Sequence, residues 1–405
     1  MSARSGMSVK SFTGQLAISS EQPFLLCFSH LRWDFVFQRP QHLMGRFART
    51  MPVIFWEEPM DIGRRETPFL KVSQAEGFPN IRIVVPHLPE GMSEERRTAA
   101  LTRLLDAHVA SLKGPLIAWY YTPMMLEFSR HLDASAVIYD CMDELSKFRF
   151  APERLLDLEQ ELIGAADLVF TGGSSLFEAK KGRHPSVHLF PSSVDRTHFA
   201  KARGGLFQPA DQEELPHPRL GYYGVIDERF DIALLDAIAA LRPDWSFVMI
   251  GPVVKIDEGE LPRRPNIHYL GPKTYGQLPA YLGGWDVALM PFAMNDSTQF
   301  ISPTKTPEYL AGGKPVVSTP VKDVVRHYGH LEAVGIASDA DSFVAACEKA
   351  LALAADRNGK WLAEADLMLS SSSWDTTQAR MAGLIAEVLA TRAARNEPAI
   401  MVAAQ

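Results

Sequence analysis

Short apolar runs alternate with longer amphipathic segments along almost the whole chain, and this alternation limits the fold more than any other feature. Apolar runs too short for helices and bounded by turn residues read as strands buried on both faces. The amphipathic segments between them read as helices that cover a parallel sheet. The expected class is therefore α/β. In the first half the candidate strands are Phe24 to Ser29, Val53 to Trp56, Ile81 to Val85, Leu116 to Tyr120, Ala136 to Tyr139, Leu168 to Thr171 and Val187 to Leu189. After Asp195 the pattern lapses into KARGGLFQPADQEELPHPR, rich in Gly, Pro and polar residues, and reads as a linker. The alternation restarts with Arg219 to Tyr223, Phe247 to Ile250, Ile267 to Leu270, Val287 to Met290, Pro315 to Ser318 and Gly335 to Ala337.

A chain of 405 residues exceeds one ordinary core, so two domains follow. The expected division is 1–200, a linker over 201–215, a second domain over 216–390 ending in helices, and a frayed tail over 391–405. A helix following SSSWDTT would be capped by Ser373 or Asp375, with Trp374 in the core.

With 46% hydrophobic and 22% charged residues the chain has the balance of a packed globular protein. A net charge of -7 and the lack of a long Lys/Arg run argue against nucleic acid as a partner. Residues 1–50 are nevertheless basic, with Arg4, Lys10, Arg32, Arg39, Arg46 and Arg49 against Glu21 and Asp34, a bias that would suit an anionic acceptor or a membrane surface. Cys27, Cys141 and Cys347 are widely spaced and odd in number, which indicates neither a disulfide framework nor a zinc site. No signal-peptide core or bilayer-length apolar run is found, so the expected location is cytoplasmic, with any membrane contact peripheral.

Chemistry concentrates in MPFAMNDSTQFISPTKTPEYLAGGKPVVSTP, Met290 to Pro320. It reads as strand, long loop, helix, tight turn and strand, with the helix starting near Thr304 after Pro303 and ending at Gly312 and Gly313. Unpaired N–H groups at such a start, with the charge of Lys305, suit a diphosphate, and Glu308 one turn on could accept from both hydroxyls of a ribose.

This segment resembles the retaining family 4 glycosyltransferases of the GT-B fold, whose pattern P-x-K-x-x-E-Y-L-A-x-G-K-P-V-V is matched by Pro303, Lys305, Glu308 to Ala311 and Gly313 to Val317. The stretch ELIGAADLVFTGGSSLFEAKKGRHPSVHLFPSSVDRTHF resembles the family's close of the first domain, and FSHLRWDFVFQRPQHLMGRFA resembles a subgroup among bacterial cell-surface polysaccharide enzymes. The resemblance implies two Rossmann-like domains facing each other across a cleft. It also implies transfer of a sugar from a nucleoside diphosphate donor to a saccharide or lipid-linked saccharide acceptor, with no cofactor. Two departures stand out. Phe300 occupies the place, eight residues before Glu308, of a second glutamate common in the family, and GYYGVIDERFD replaces a Gly-Arg-Leu stretch with its following lysine. Arg229 is the nearest substitute for that charge, with pairing to Asp227 or Asp231 as its alternative.

Gly224, Gly251 and Pro252, at strand ends, complete the expected donor site with Arg229, Pro303, Thr304, Lys305 and Glu308. Acceptor candidates are His30, Arg32, Trp33, Asp34, Gln38 and Arg39 after the first strand, and Asp143 after a later one. The register against the family's usual histidine puts Asp140 beside the transferred sugar, as a catalytic residue with Arg229 and Lys305, while Asp143 could instead cap a helix. The sequence has no HxH, HExxH or Asp-x-Asp signature, and cationic side chains can neutralise a diphosphate, so no metal is expected. The alternatives are a nucleotide-sugar epimerase of GT-B-like fold or a non-catalytic nucleotide-sugar-binding subunit. A dinucleotide-dependent dehydrogenase fits less well, since no GxGxxG follows any candidate strand.

Overall fold

The computed structural model describes residues 22–356 and 359–396. In the first half the strands are β1 (Phe24–Ser29), β2 (Val53–Glu57), β3 (Met60–Ile62), β4 (Phe69–Gln74), β5 (Ile81–Pro89), β6 (Leu116–Tyr120), β7 (Ala136–Cys141), β8 (Leu168–Thr171) and β9 (Val187–Leu189). They form one sheet in the order β3-β5-β2-β1-β6-β7-β8-β9, with β4 paired antiparallel to β5 and all other pairs parallel. The second sheet comprises β10 (Arg219–Tyr223), β11 (Ser246–Ile250), β12 (Ile267–Gly271), β13 (Val287–Met290), β14 (Val316–Ser318) and β15 (Val334–Ile336). It is parallel throughout, in the order β12-β11-β10-β13-β14-β15.

The central strands β1, β2, β6, β10 and β11 are buried at every position, as their continuous apolar runs require. Strands β3 and β4 left no sequence signal because they lie at the sheet's edge and most of their side chains face solvent. In each sheet the strand order reverses at the first strand, beside β1 and beside β10. In open α/β sheets ligands bind outside the carboxyl ends of strands at such reversals, so the loops after β1 and β10 are marked in advance.

The chain between the sheets is not a loose linker. Within the expected 201–215 segment, Gln212 is fully buried; its Nε2 donates to the Tyr281 carbonyl at 3.0 Å and its Oε1 accepts from Trp285 Nε1 at 2.8 Å. The helix Trp374–Asn396, expected to belong to the second domain, packs instead on the first. Trp374, Met381 and Ile385 are buried in the core containing Leu25 and Cys27, and Arg392 pairs with Asp167 at 2.7 Å. Ser373 caps this helix through the Thr376 N–H at 3.0 Å, whereas Asp375 pairs with Arg46 and Arg49. The helix runs on to Asn396 where fraying was expected, and 397–405 lie outside the described residues.

A polar contact also ties the halves together. The carboxylate of Asp323, on the helix Lys322–Tyr328 of the second domain, accepts from the N–H groups of Ser174 (2.7 Å) and Ser175 (3.0 Å) and from the Ser175 hydroxyl (2.6 Å). All three cysteines are buried free thiols.

Candidate active site

A cavity of about 820 Å³ opens between the carboxyl ends of the two sheets. One wall comes from the loop after β1, including Trp33, Asp34, Phe35, Phe37 and Gln38, with Glu76 and Phe78 from the β4–β5 turn. The other comes from the loops after β10, β11 and β12 and from the start of the helix Lys305–Ala311. Of the expected donor residues, Gly224, Arg229, Gly251, Pro252, Thr304, Lys305 and Glu308 line this space, and Pro303 does not.

The glycines are needed for backbone approach. Gly224 has φ +140°, and a Cβ there would lie 2.2 Å from Lys305 Cε; Gly251 has φ +144°, and a Cβ there would lie 1.8 Å from the Gly224 carbonyl oxygen. Lys305 lies 5.6 Å from the Tyr222 ring centre and 5.8 Å from that of Phe292. Lys305 is half-buried, and desolvation lowers its pKa, as does nearby Arg229; Glu308, Asp227 and Asp143 act the other way. Burial pushes the Glu308 carboxyl up, against the hydrogen bond from Tyr223 and the charge of Lys305. Arg229 pairs with Asp227, its Nε at 3.0 and 3.1 Å and its Nη2 at 2.6 Å, which is the alternative weighed for it. Its Nη1 has no hydrogen-bond partner among the described residues.

Phe300, at the place of the family's second glutamate, packs against the apolar core of the first domain. It is thus a contact between the domains.

The acceptor candidates divide. Trp33, Asp34 and Gln38 reach the cavity wall, though Trp33 is largely buried against Phe55 and Phe78, and the Gln38 N–H donates to the Gln41 side chain at 3.0 Å at the start of the helix Arg39–Phe47. Arg32 turns away to Glu57 at 2.9 Å and to the Glu58 carbonyl at 2.6 Å. His30 is half-buried, and its imidazole is pushed down to about 4 by burial and then by nearby Lys255.

Two assignments are overturned. Strand β7 runs on through Cys141, so Asp140 lies within the strand and not at its end. Its side chain is 0% exposed and is held by Arg39, whose Nη2 donates at 2.8 Å and Nε at 3.0 and 3.2 Å. Burial pushes the Asp140 carboxyl up more than Arg39 pulls it down, while the same pairing raises Arg39; the bidentate geometry identifies an ionic pair. Neither Asp140 as a catalytic group nor Arg39 as an acceptor contact is available to a ligand. Asp143 lies just past the strand. It is half-buried, its carboxylate makes no hydrogen bond among the described residues, and it does not line the cavity; the charges of Arg229, Asp227, Arg39 and Lys305 lie near it, with burial raising its pKa first. It caps no helix. The basic surplus near the N-terminus is likewise absorbed in pairs at Arg32, Arg39, Arg46 and Arg49, and Arg4 and Lys10 lie outside the described residues.

Sequence reasoning missed the aromatic residues. Tyr223 ends β10, and its hydroxyl donates to Glu308 Oε2 at 2.8 Å. Phe37 stacks on Tyr275 across the cleft at 4.6 Å, and Phe148 lies 5.2 Å from Arg229 and 5.0 Å from Lys255. A tyrosine next to Gly224 was a usable signal; the partners of Phe148 come from distant segments and gave none.

Two facing α/β domains with a cavity at their topological reversals have the GT-B fold. Residues 217–353 match the family described as glycosyl transferases group 1. It is 29% identical over 265 residues to the TuaH glycosyltransferase assigned to teichuronic acid biosynthesis in Bacillus subtilis (strain 168), a match spanning 60% of this chain and 65% of that one. Among solved structures it is similar to a sucrose-phosphate synthase from Thermosynechococcus elongatus (TM-score 0.65, 18% identity, covering 92% of this chain and 100% of that one). It is also similar to an α,α-trehalose-phosphate synthase from Burkholderia vietnamiensis (TM-score 0.66, 14% identity, covering 92% and 98%). At such identities these two likenesses establish the fold alone. Among the described residues no helix is long and apolar enough to cross a membrane.

Proposed function

We propose that the chain transfers a glycosyl group from a nucleoside diphosphate sugar to a saccharide or lipid-linked saccharide, with retention at the anomeric carbon, in the synthesis of a cell-surface polysaccharide. The observation that carries this reading is the convergence of Arg229, Lys305 and Glu308 on one wall of the cavity, opposite a wall built by the other domain. The likeness to TuaH supports the polysaccharide context.

Charge accumulates on the leaving diphosphate as the glycosidic bond breaks. Arg229 and Lys305 lower the barrier by favouring that charge in a site that excludes water. Glu308 accepts from the ribose hydroxyls. Asp143, on the first domain near the charges of Arg229 and Lys305, stabilises positive charge developing at the anomeric carbon. Trp33, Asp34 and Gln38 contribute to the acceptor side. With two cations supplied by side chains, transfer proceeds without a divalent ion, at the cytoplasmic face of the membrane.

The test is a thermal-shift screen of the full chain against nucleoside diphosphates and their sugars, followed by transfer assays with and without EDTA. A specific shift that disappears in Lys305→Ala and Glu308→Ala is expected. No shift with any nucleotide would refute the donor site, and transfer abolished by EDTA and restored by manganese would refute metal independence.

A further inference from the structure

Glu308 is 7% exposed at the cavity wall, yet only one of its oxygens is engaged: Oε2 accepts from the Tyr223 hydroxyl at 2.8 Å, and Oε1 has no hydrogen-bond partner among the described residues. A buried carboxylate with so little support is costly, so whatever fixes it matters. Tyr223 is itself held on several sides. Its N–H donates to the Tyr309 hydroxyl at 3.0 Å, its ring meets that of Tyr309 edge-on at 4.7 Å, and Phe199 and Trp285 lie at 6.1 and 5.8 Å. The phenol has little freedom to turn elsewhere.

Resting on the donor site proposed above, we propose that Tyr223 is a positioning residue that holds the Glu308 carboxylate charged and facing the cleft, leaving Oε1 to accept from vicinal hydroxyls of the nucleotide's ribose. The two oxygens then divide the work, one fixed by the protein and one open to the ligand. The titratable groups around Glu308 are Tyr223 from β10, Lys305 and Tyr309 from its own helix, and Tyr275 from the loop after β12; Lys305 in turn faces Arg229, Asp227 and Asp143. Burial raises the Glu308 carboxyl, and the Tyr223 hydrogen bond and Lys305 lower it again. Removing the hydroxyl leaves burial less opposed, so the carboxyl stays protonated to higher pH and accepts less well from a ligand.

Tyr223→Phe deletes one oxygen and keeps the ring packing. Binding of UDP, GDP and ADP is measured by calorimetry at pH 6.5, 7.5 and 8.5, and each result is taken as a ratio to the parent protein. The expected ratio is about a tenfold loss at pH 6.5, narrowing to about threefold at pH 8.5, the order of a single hydrogen bond to a charged group. In the double variant Tyr223→Phe/Glu308→Gln the two losses should not add, because both act on one carboxylate. A loss equal at all three pH values would mark Tyr223 as packing only and overturn the proposal, as would unchanged affinity or additive losses. If Glu308→Gln alone binds nucleotide as the parent does, the donor-site reading itself fails, and this proposal with it. The melting temperature of each variant without nucleotide verifies folding.

Discussion

The exchange of roles between Asp140 and Asp143 gives the sharpest test of the site. Asp140→Asn removes the counter-charge of Arg39, a guanidinium only 2% exposed whose other contact is the Phe190 carbonyl at 2.8 Å. Breaking one side of a buried pair strands the remaining charge, at about 3–5 kcal/mol, of which an Asn oxygen recovers part through one hydrogen bond. For a domain of this size 1 kcal/mol moves the melting temperature by about 2–4 °C, so a fall of about 6–15 °C is expected. Turnover by the protein still folded should change little, because Asp140 is fully buried and does not line the cavity. Asp143→Asn should do the reverse, leaving the melting temperature within about 2 °C and lowering kcat about tenfold to a thousandfold, the range for one electrostatic or acid-base contribution. Circular-dichroism melts paired with initial-rate kinetics at saturating donor separate the two. Replacing the pair together, Arg39→Met with Asp140→Leu, should restore most of the lost stability, since an apolar pair of similar size is often no worse than a buried ion pair. A stable but inactive Asp140→Asn, or an unstable but fully active Asp143→Asn, would refute the assignment.

Other expectations follow from the same geometry. His42, buried against Trp374 at 4.7 Å, is held well below its ordinary pKa mainly by burial, and His30 is lowered to about 4. The unfolded chain therefore binds more protons below about pH 6.5, and stability should fall as pH drops from there toward 4, a slope that His42→Phe should flatten in melts across that range. Asp323→Ala removes three hydrogen bonds that join the domains, and should cost about 2–4 kcal/mol in denaturant titration; a loss under about 0.5 kcal/mol would mean the contact is solvated. Gly251→Ala places a methyl 1.8 Å from the Gly224 carbonyl oxygen at a positive φ, so soluble yield and nucleotide binding should both collapse.

The sequence by itself determined the α/β class, both parallel sheets to within a residue or two at most strand ends, and the place of the Thr304 to Glu308 segment at the cleft. These follow from local causes: continuous apolar runs fix central strands, and a proline and Gly-Gly fix where a helix starts and stops. Strands β3 and β4 escaped because exposed edge strands carry no such pattern. Tertiary structure alone decided which carboxylate is free. Asp140 and Asp143 are three residues apart and alike in type, and only Arg39, about a hundred positions earlier in the chain, arriving on the covered face of β7, pairs with one and leaves the other's carboxylate without a hydrogen bond among the described residues. The same holds for the last helix, whose apolar stripe could have closed either domain. A hydrophobic pattern records that a face is buried, not against what, and the charges that face a site are set by segments far apart along the chain.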